Sequence, residues 1–211
     1  MGNPKILVWG AGGHAGVVEE IIRLSQKYEM IGFLDDSPTA QDFFLGLPVF
    51  HDFRSLQAGR PLHAIVAVGH CRTRLEIAET VQQNGWILTS AIHPRAVVSS
   101  SAVVGDGTVI AAGAVVNPGS ALGTSVIVNT GATVDHDCRI ADGVHIGPGV
   151  HMGGAAVVGK GTWLGIGAIV KDRVTIGQGV VIGAGAVVLR DIPDYVMAYG
   201  VPAKPVKELR P

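Results

Sequence analysis

The chain has 211 residues, with 16 Lys+Arg against 17 Asp+Glu and a formal charge of −1. That balance supplies no net pull toward nucleic acid or an anionic bilayer, and no unbroken apolar run of ~18 residues is present, so neither nucleic acid nor membrane insertion is expected. Hydrophobic residues reach 47% while aromatics make up only 5% and Gly contributes 30 positions, so the core must be built from small and β-branched side chains.

Lys5–Trp9 reads as a buried strand, and the run Gly10-Ala11-Gly12-Gly13-His14-Ala15 follows it. Val17, Val18, Ile21, Ile22 and Leu24 then recur at helical spacing. Met30–Leu34 is a second strand, ending in Asp35-Asp36, and Ala64–Val68 is a third, closing at Gly69-His70. Arg74, Leu75, Ile77, Ala78 and Val81 mark a second helix, and Trp86–Leu88 a last strand. Gly10, Gly12 and Ala15 fit G-x-G-x-x-A between strand and helix, where backbone amides approach a phosphate at the helix N-terminus. Asp35 lies about twenty residues beyond Ala15, where a ribose hydroxyl partner sits in dinucleotide sites. Taken alone, the motif suggests NAD. The alternative is a turn that merely joins strand to helix, and a unit of about 90 residues is short for a complete dinucleotide fold.

From Ile92 the texture changes. Residues 1–91 hold 16 charged side chains; residues 92–193 hold 12 and no glutamate. Stepping by six from Ile92 through Val98, Val104 and Ile110 to Val188 meets seventeen positions, all Ile, Val, Leu or Met. The position two before each is small or branched, as at Ala96, Ala102, Thr108, Ala114 and Cys138, so both point to one side of a short strand. Three hexads make an 18-residue coil, and the coils stack at about 4.8 Å. The reading is a Rossmann-like unit over 1–91, a repeat domain over 92–193 and a tail over 194–211. Val97, Val103, Val109, Val115, Ile127 and Val157 point outward. A monomer would leave that wall exposed. Cys71 and Cys138 make no disulfide framework, and no basic, apolar leader opens the chain, so a cytoplasmic location is expected.

The hexads resemble the left-handed parallel β-helix of hexapeptide acyltransferases, which implies trimers packed through flat faces. The combination is more specific. Gly10–Ala15, Gly32-Phe33-Leu34-Asp35-Asp36, Ile92-His93-Pro94-Arg95-Ala96, Asn129, Asp135-His136-Asp137 and Gly200-Val201-Pro202-Ala203-Lys204 together resemble the sugar O/N-acetyltransferases. These comprise sialic acid O-acetyltransferases and UDP-amino-sugar N-acetyltransferases. The resemblance implies an α/β Rossmann-like unit that holds a nucleotide sugar, through Gly12, Gly13, His14, Asp35, Asp36 and Gly69. It implies a left-handed β-helix that holds acetyl-CoA as co-substrate, with contacts at His145, Ile166 and Ala184. It places a catalytic His–acid pair on His136 and Asp137, with Asn129 nearby, and it implies no metal.

The residue types suit that chemistry. A neutral imidazole takes the proton lost when an amine or hydroxyl attacks a thioester, and a neighbouring carboxylate raises its basicity. His136 sits at a corner, free to reach a groove, although adjacent side chains such as His136 and Asp137 often point apart. One coil further on stands Gly154, whose N–H would face an oxyanion and whose missing side chain would leave room for the thioester. A second corner column runs Thr130, Pro148, Ile166, Ala184, along which a pantetheine arm would extend. His145 is expected to face a neighbouring subunit. The expected reaction is N-acetylation of a UDP-linked amino sugar. The alternatives are O-acetylation of a sialic-acid-like sugar, a γ-carbonic-anhydrase-like metal centre on His136, His145 and His151, an NAD-linked reductase, and a noncatalytic nucleotide-sugar sensor.

Overall fold

The computed structural model describes residues 2–37, 39–56 and 62–210. The N-terminal unit contains β1 (Lys5–Trp9), α1 (Gly13–Ser25), β2 (Glu29–Leu34), β3 (Phe43–Phe44), β4 (Leu47–Phe50), β5 (His63–Val66), α2 (Cys71–Gln83) and β6 (Ile87–Leu88). Its sheet runs β3-β4-β2-β1-β5-β6, parallel except for the β3–β4 hairpin. Alternate residues of β1 serve opposite faces. Ile6 and Val8 pack with Val18, Ile21 and Ile22 of α1, while Leu7 and Trp9 pack with Ala78 and Val81 of α2.

Beyond it, seventeen two-residue strands, β7 (Ala91–Ile92) through β23 (Val187–Val188), coil into a left-handed parallel β-helix. Each strand pairs with the one three places on, as Ile127↔His145↔Trp163↔Val181 shows along one face. The interior is a dry stack of Ile110, Val128, Ile146, Leu164 and Ile182 with small partners such as Ala114 and Ala132. The segment read as a tail forms a hairpin, β24 (Val196–Gly200) and β25 (Ala203–Glu208), and β24 extends the 127/145/163/181 face. Val196 and Ala198 close that end of the core.

The outward apolar wall is not uniform, which corrects the expectation that a monomer would leave all of it exposed. Val109 and Ile127 lie under the chain's own N-terminal unit and are fully buried in its α1-side core. Val97 and Val103, on the other two faces, are each 64% exposed, and Val157 is also open. One face is covered because α1 needs a second apolar surface besides its sheet, and the nearest one is the start of the coil.

Candidate functional site

The corners of the β-helix form columns along its axis, linked by one backbone hydrogen bond per coil. One column runs Pro118, His136, Gly154, with Asp137 N–H donating to Pro118 O and Ala155 N–H to His136 O. Another runs Thr130, Pro148, Ile166, Ala184, linked by the N–H groups of Gly149, Gly167 and Gly185. The two columns lie on different edges of the prism.

On the first edge, His136 Nδ1–H donates to Asp137 Oδ2 at 2.9 Å. Sequence neighbours face each other here because Asp137 adopts φ 60°, a left-handed turn that swings its carboxylate back over the ring. Its place in the column is held by Gly119 in the coil below and by Ala155 and Arg173 above, so three successive non-glycine residues are left-handed. The column Gly113, Gly131, Gly149, Gly167, Gly185 on the other edge is glycine throughout. Residues held in this region mark sites where conformation is constrained, and the sequence signal was the loss of glycine at three successive corner positions of this column.

His136 is 61% exposed, and the Asp137 hydrogen bond, then the Asp135 charge, hold its pKa above the ordinary histidine value. Asp135 is a support that the motif did not single out as one. Its Oδ1 accepts from His136 N–H and from Asn117 Nδ2, and the first of these does most to lower its pKa. With Nδ1 committed to Asp137, Nε2 is the lone pair left for proton transfer. The ring lies directly over Gly154, where a Cβ would meet Nε2 at 2.5 Å. The missing side chain therefore makes room for the imidazole itself, which corrects the expectation that it leaves open space. The amides on either side, Gly153 and Ala155, donate into the ladder. A groove of about 530 Å³ runs beside the ring, lined by His136, His151, Gly154, Ile169 and Arg173 among others.

On the second edge the geometry differs from expectation. His145 does not face outward to a free surface. It is half-buried where the N-terminal unit meets the coil, because the Gly69 loop folds over it. Its Nδ1 meets Gly69 O and its Nε2 meets Asn129 Nδ2, both at 3.2 Å. The ring stacks on Trp163 at 5.9 Å, and the His14 ring lies 6.4 Å away. Burial, reinforced by the Arg74 charge, lowers the pKa of both His14 and His145 to about 4. Asn129 thus belongs with His145, on a different edge from His136. Ile166 and Ala184 are exposed at their corners.

The Gly-rich loop opens α1 at Gly12, an N-cap without a side-chain cap. No atom lies within 4 Å of the Cβ positions of Gly12 and Gly13, so these amides border open space. The cleft beside them, about 310 Å³, is lined by Ala11, Gly12, Asp35, Thr39 and Phe43 among others. Asp35 is already engaged, accepting from Ala11 N–H through Oδ2 and from Ser37 N–H through Oδ1. Asp36 is exposed and does not line this cleft. Gly69 lies at the joint, not in the cleft. Among the described residues, no three His, Cys, Asp or Glu side chains form a group that could hold a metal ion.

Residues 5–81 match the PglD N-terminal domain family, and residues 155–190 match the bacterial transferase hexapeptide (six repeats) family. The crystal structure of PerB from Caulobacter crescentus, in complex with CoA and GDP-perosamine, is 40% identical to this chain. The match covers 96% of this chain and 97% of that one, with a TM-score of 0.90. The chain belongs to the hexapeptide-repeat sugar acetyltransferase family. The acetyltransferase domain of PglB from Neisseria gonorrhoeae, in complex with acetyl coenzyme A, is 42% identical, with coverage of 97% and 100% and a TM-score of 0.91. UDP-N-acetylbacillosamine N-acetyltransferase from Bacillus subtilis is 35% identical over 110 residues, a stretch spanning 50% of either protein.

Proposed function

We propose that the protein transfers an acetyl group from acetyl-CoA to the amine of a nucleoside-diphosphate-linked amino sugar. The observation that carries this reading is the His136–Asp137 pair, 2.9 Å apart beside a groove, in a chain similar over nearly its whole length to a protein bound to CoA and GDP-perosamine. In this reading the diphosphate lies on the free amides of Gly12 and Gly13 at the start of α1. His14 and the Asp35–Asp36 turn meet the sugar and the nucleoside. The pantetheine arm follows the corner column of Ile166 and Ala184. The amine nitrogen attacks the thioester carbon, and His136 Nε2 takes the proton that the nitrogen loses. The carbonyl electrons pass to oxygen, where the Gly154 N–H stabilises the oxyanion. Collapse breaks the C–S bond, and the imidazolium returns the proton to the CoA thiolate.

His136 and the nucleotide cleft lie toward different edges of one prism. The reading takes a homotrimer, in which the uncovered faces carrying Val97 and Val103 would bring the His136 edge of one subunit to the Asn129 edge of the next. Light scattering is expected to return a trimer, and a monomer that turns over would reject this arrangement. Among the described residues, no helix is long and apolar enough to cross a membrane.

Mass spectrometry of UDP- and GDP-linked amino sugars incubated with acetyl-CoA is the deciding measurement. A single acetyl group is expected on the amine of one acceptor class. Acetylation of the hydroxyl analogues alone, or binding of acetyl-CoA with no transfer, would overturn the reading.

A further inference from the structure

Arg74 is a buried cation with no carboxylate among its hydrogen-bond partners in the described residues. Its side chain is fully buried, on the face of α2 that meets the β-helix. Among the described residues its donors run to carbonyls, with the Cys71 thiol also beside it: Nε to Ser125 O at 2.9 Å, Nη1 to Val68 O at 2.9 Å and Gly69 O at 2.8 Å, Nη2 to Gly143 O at 2.7 Å and Val144 O at 3.4 Å. Two of these carbonyls belong to the loop after β5 and three to the coil, so the guanidinium lies across the joint between the two units. Burying a charge is costly unless its donors are satisfied. A planar fork with five donors is the side chain that can satisfy so many carbonyls at once.

The Gly69 carbonyl is shared. It accepts from Arg74 Nη1 and also meets His145 Nδ1. The other end of His145 is equally constrained. Asn129 Oδ1 accepts from Thr130 N–H at 2.8 Å, so its Nδ2 must be the atom that faces His145 Nε2 at 3.2 Å. An amide NH₂ only donates, so Nε2 accepts, and the ring proton sits on Nδ1, directed at Gly69 O. The groups facing the ring are His14 from α1, Arg74 from α2, the Gly69 carbonyl, and Trp163 and Asn129 from the coil. Of these, Arg74 carries the full charge.

We propose that Arg74 is a positioning residue of the site: by holding the Gly69 carbonyl between the two units, it locks His145 as its Nδ1–H tautomer on the coil edge that carries Asn129. As far as it concerns acetyl transfer, this rests on the function proposed above; the tautomer does not depend on it.

The test combines two readouts on the full chain. Nitrogen-15 spectra of the imidazoles, with His145 assigned by its loss in His145→Ala, report tautomer and protonation without any substrate. Steady-state kinetics report transfer. The unsubstituted protein is expected to show one neutral Nδ1–H form of His145 from pH 8 to about 5. In Arg74→Gln, His145 is expected to show mixed tautomers and to protonate nearer the ordinary histidine range. The kcat/KM for the amino sugar is expected to fall by about 10- to 100-fold, the scale of a small misplacement of bound reactants. Arg74→Lys, which keeps the charge and loses the fork, is expected to stay neutral at His145 while losing the single tautomer, and to recover part of the rate.

Placed in His145→Ala, Arg74→Gln is expected to cost little more than His145→Ala alone, whereas a merely structural role would add its full effect. A folded Arg74→Gln protein with the parent His145 signals, or with fully additive kinetics, overturns the proposal. Should Arg74→Gln not fold, Arg74→Lys decides alone: the parent tautomer together with the parent rate rejects the role. A locked His145 in a protein that acetylates none of the acceptors would reject the proposed function and leave the positioning network standing.

Discussion

His136 and His145 lie nine residues apart in one repeat, yet their environments are opposite. His136 is on an open edge beside two carboxylates, and its pKa is raised. His145 is in the closed joint, under Gly69 and near Arg74, and its pKa is lowered to about 4. His136 sits on a corner turn and His145 on a strand of the same coil. What separates them is which face of the prism the N-terminal unit covers. An exposed imidazole beside a carboxylate is suited to exchanging protons, and a half-buried one near a guanidinium is suited to staying neutral and holding geometry.

The contrast is broken most severely at the open edge. His136→Ala is expected to lower kcat by roughly 10²–10⁴ with the fold intact, because the corner adds nothing to the inward stack. Circular dichroism and steady-state kinetics check both halves, and a folded variant with the parent rate would reduce His136 to a corner residue. Next comes Gly154→Ala. The added methyl collides with His136 Nε2, and the ring, being exposed and flexible, gives way before the backbone does. A loss of up to about 10²-fold in kcat is expected, with thermal stability nearly unchanged.

Asp137→Asn sharpens the comparison through pH. Asp137 raises the His136 pKa, and a base acts only when deprotonated, so activity falls as pH drops through that value. Removing the carboxylate is expected to move this acid limb to lower pH and to cost less than His136→Ala at neutral pH. An unmoved limb in a pH–rate profile would detach Asp137 from the base.

At the closed joint the pKa shifts have the opposite sign, and their effect is on stability. His14 and His145 have folded pKa values of about 4, below their unfolded value of 6.5. Between those values the unfolded chain binds more protons, so stability is intact above about pH 6.5 and is lost as pH falls toward 4. Each histidine is expected to cost up to roughly 2 kcal/mol at pH 5. Thermal melts at pH 7 and pH 5 measure the sum, and His145→Gln, which has no such proton to bind, is expected to flatten the dependence.

Much of this architecture is legible without coordinates, and the reasons are local. An aliphatic residue every six positions from Ile92 to Val188 admits only a narrow coil, because each strand must turn its apolar residue to one axis. The strand–Gly-loop–helix order around Gly10–Ala15 is equally local, since a tight turn and uncapped amides are properties of the residues themselves. His136 beside Asp137 is a sequence fact. That they face each other is not, because it depends on the left-handed backbone at Asp137, which the stacked coils impose. The face carrying Val109 and Ile127 has the same outward pattern as its neighbours, so only docking of α1 reveals which face is covered. That docking also decides the fates of His145, Asn129 and Gly69. Their partners are Arg74 and one another, separated by up to 76 residues of chain. Periodicity acts through neighbours and can be read from them; burial at a joint between two units depends on surfaces that meet only when both have folded.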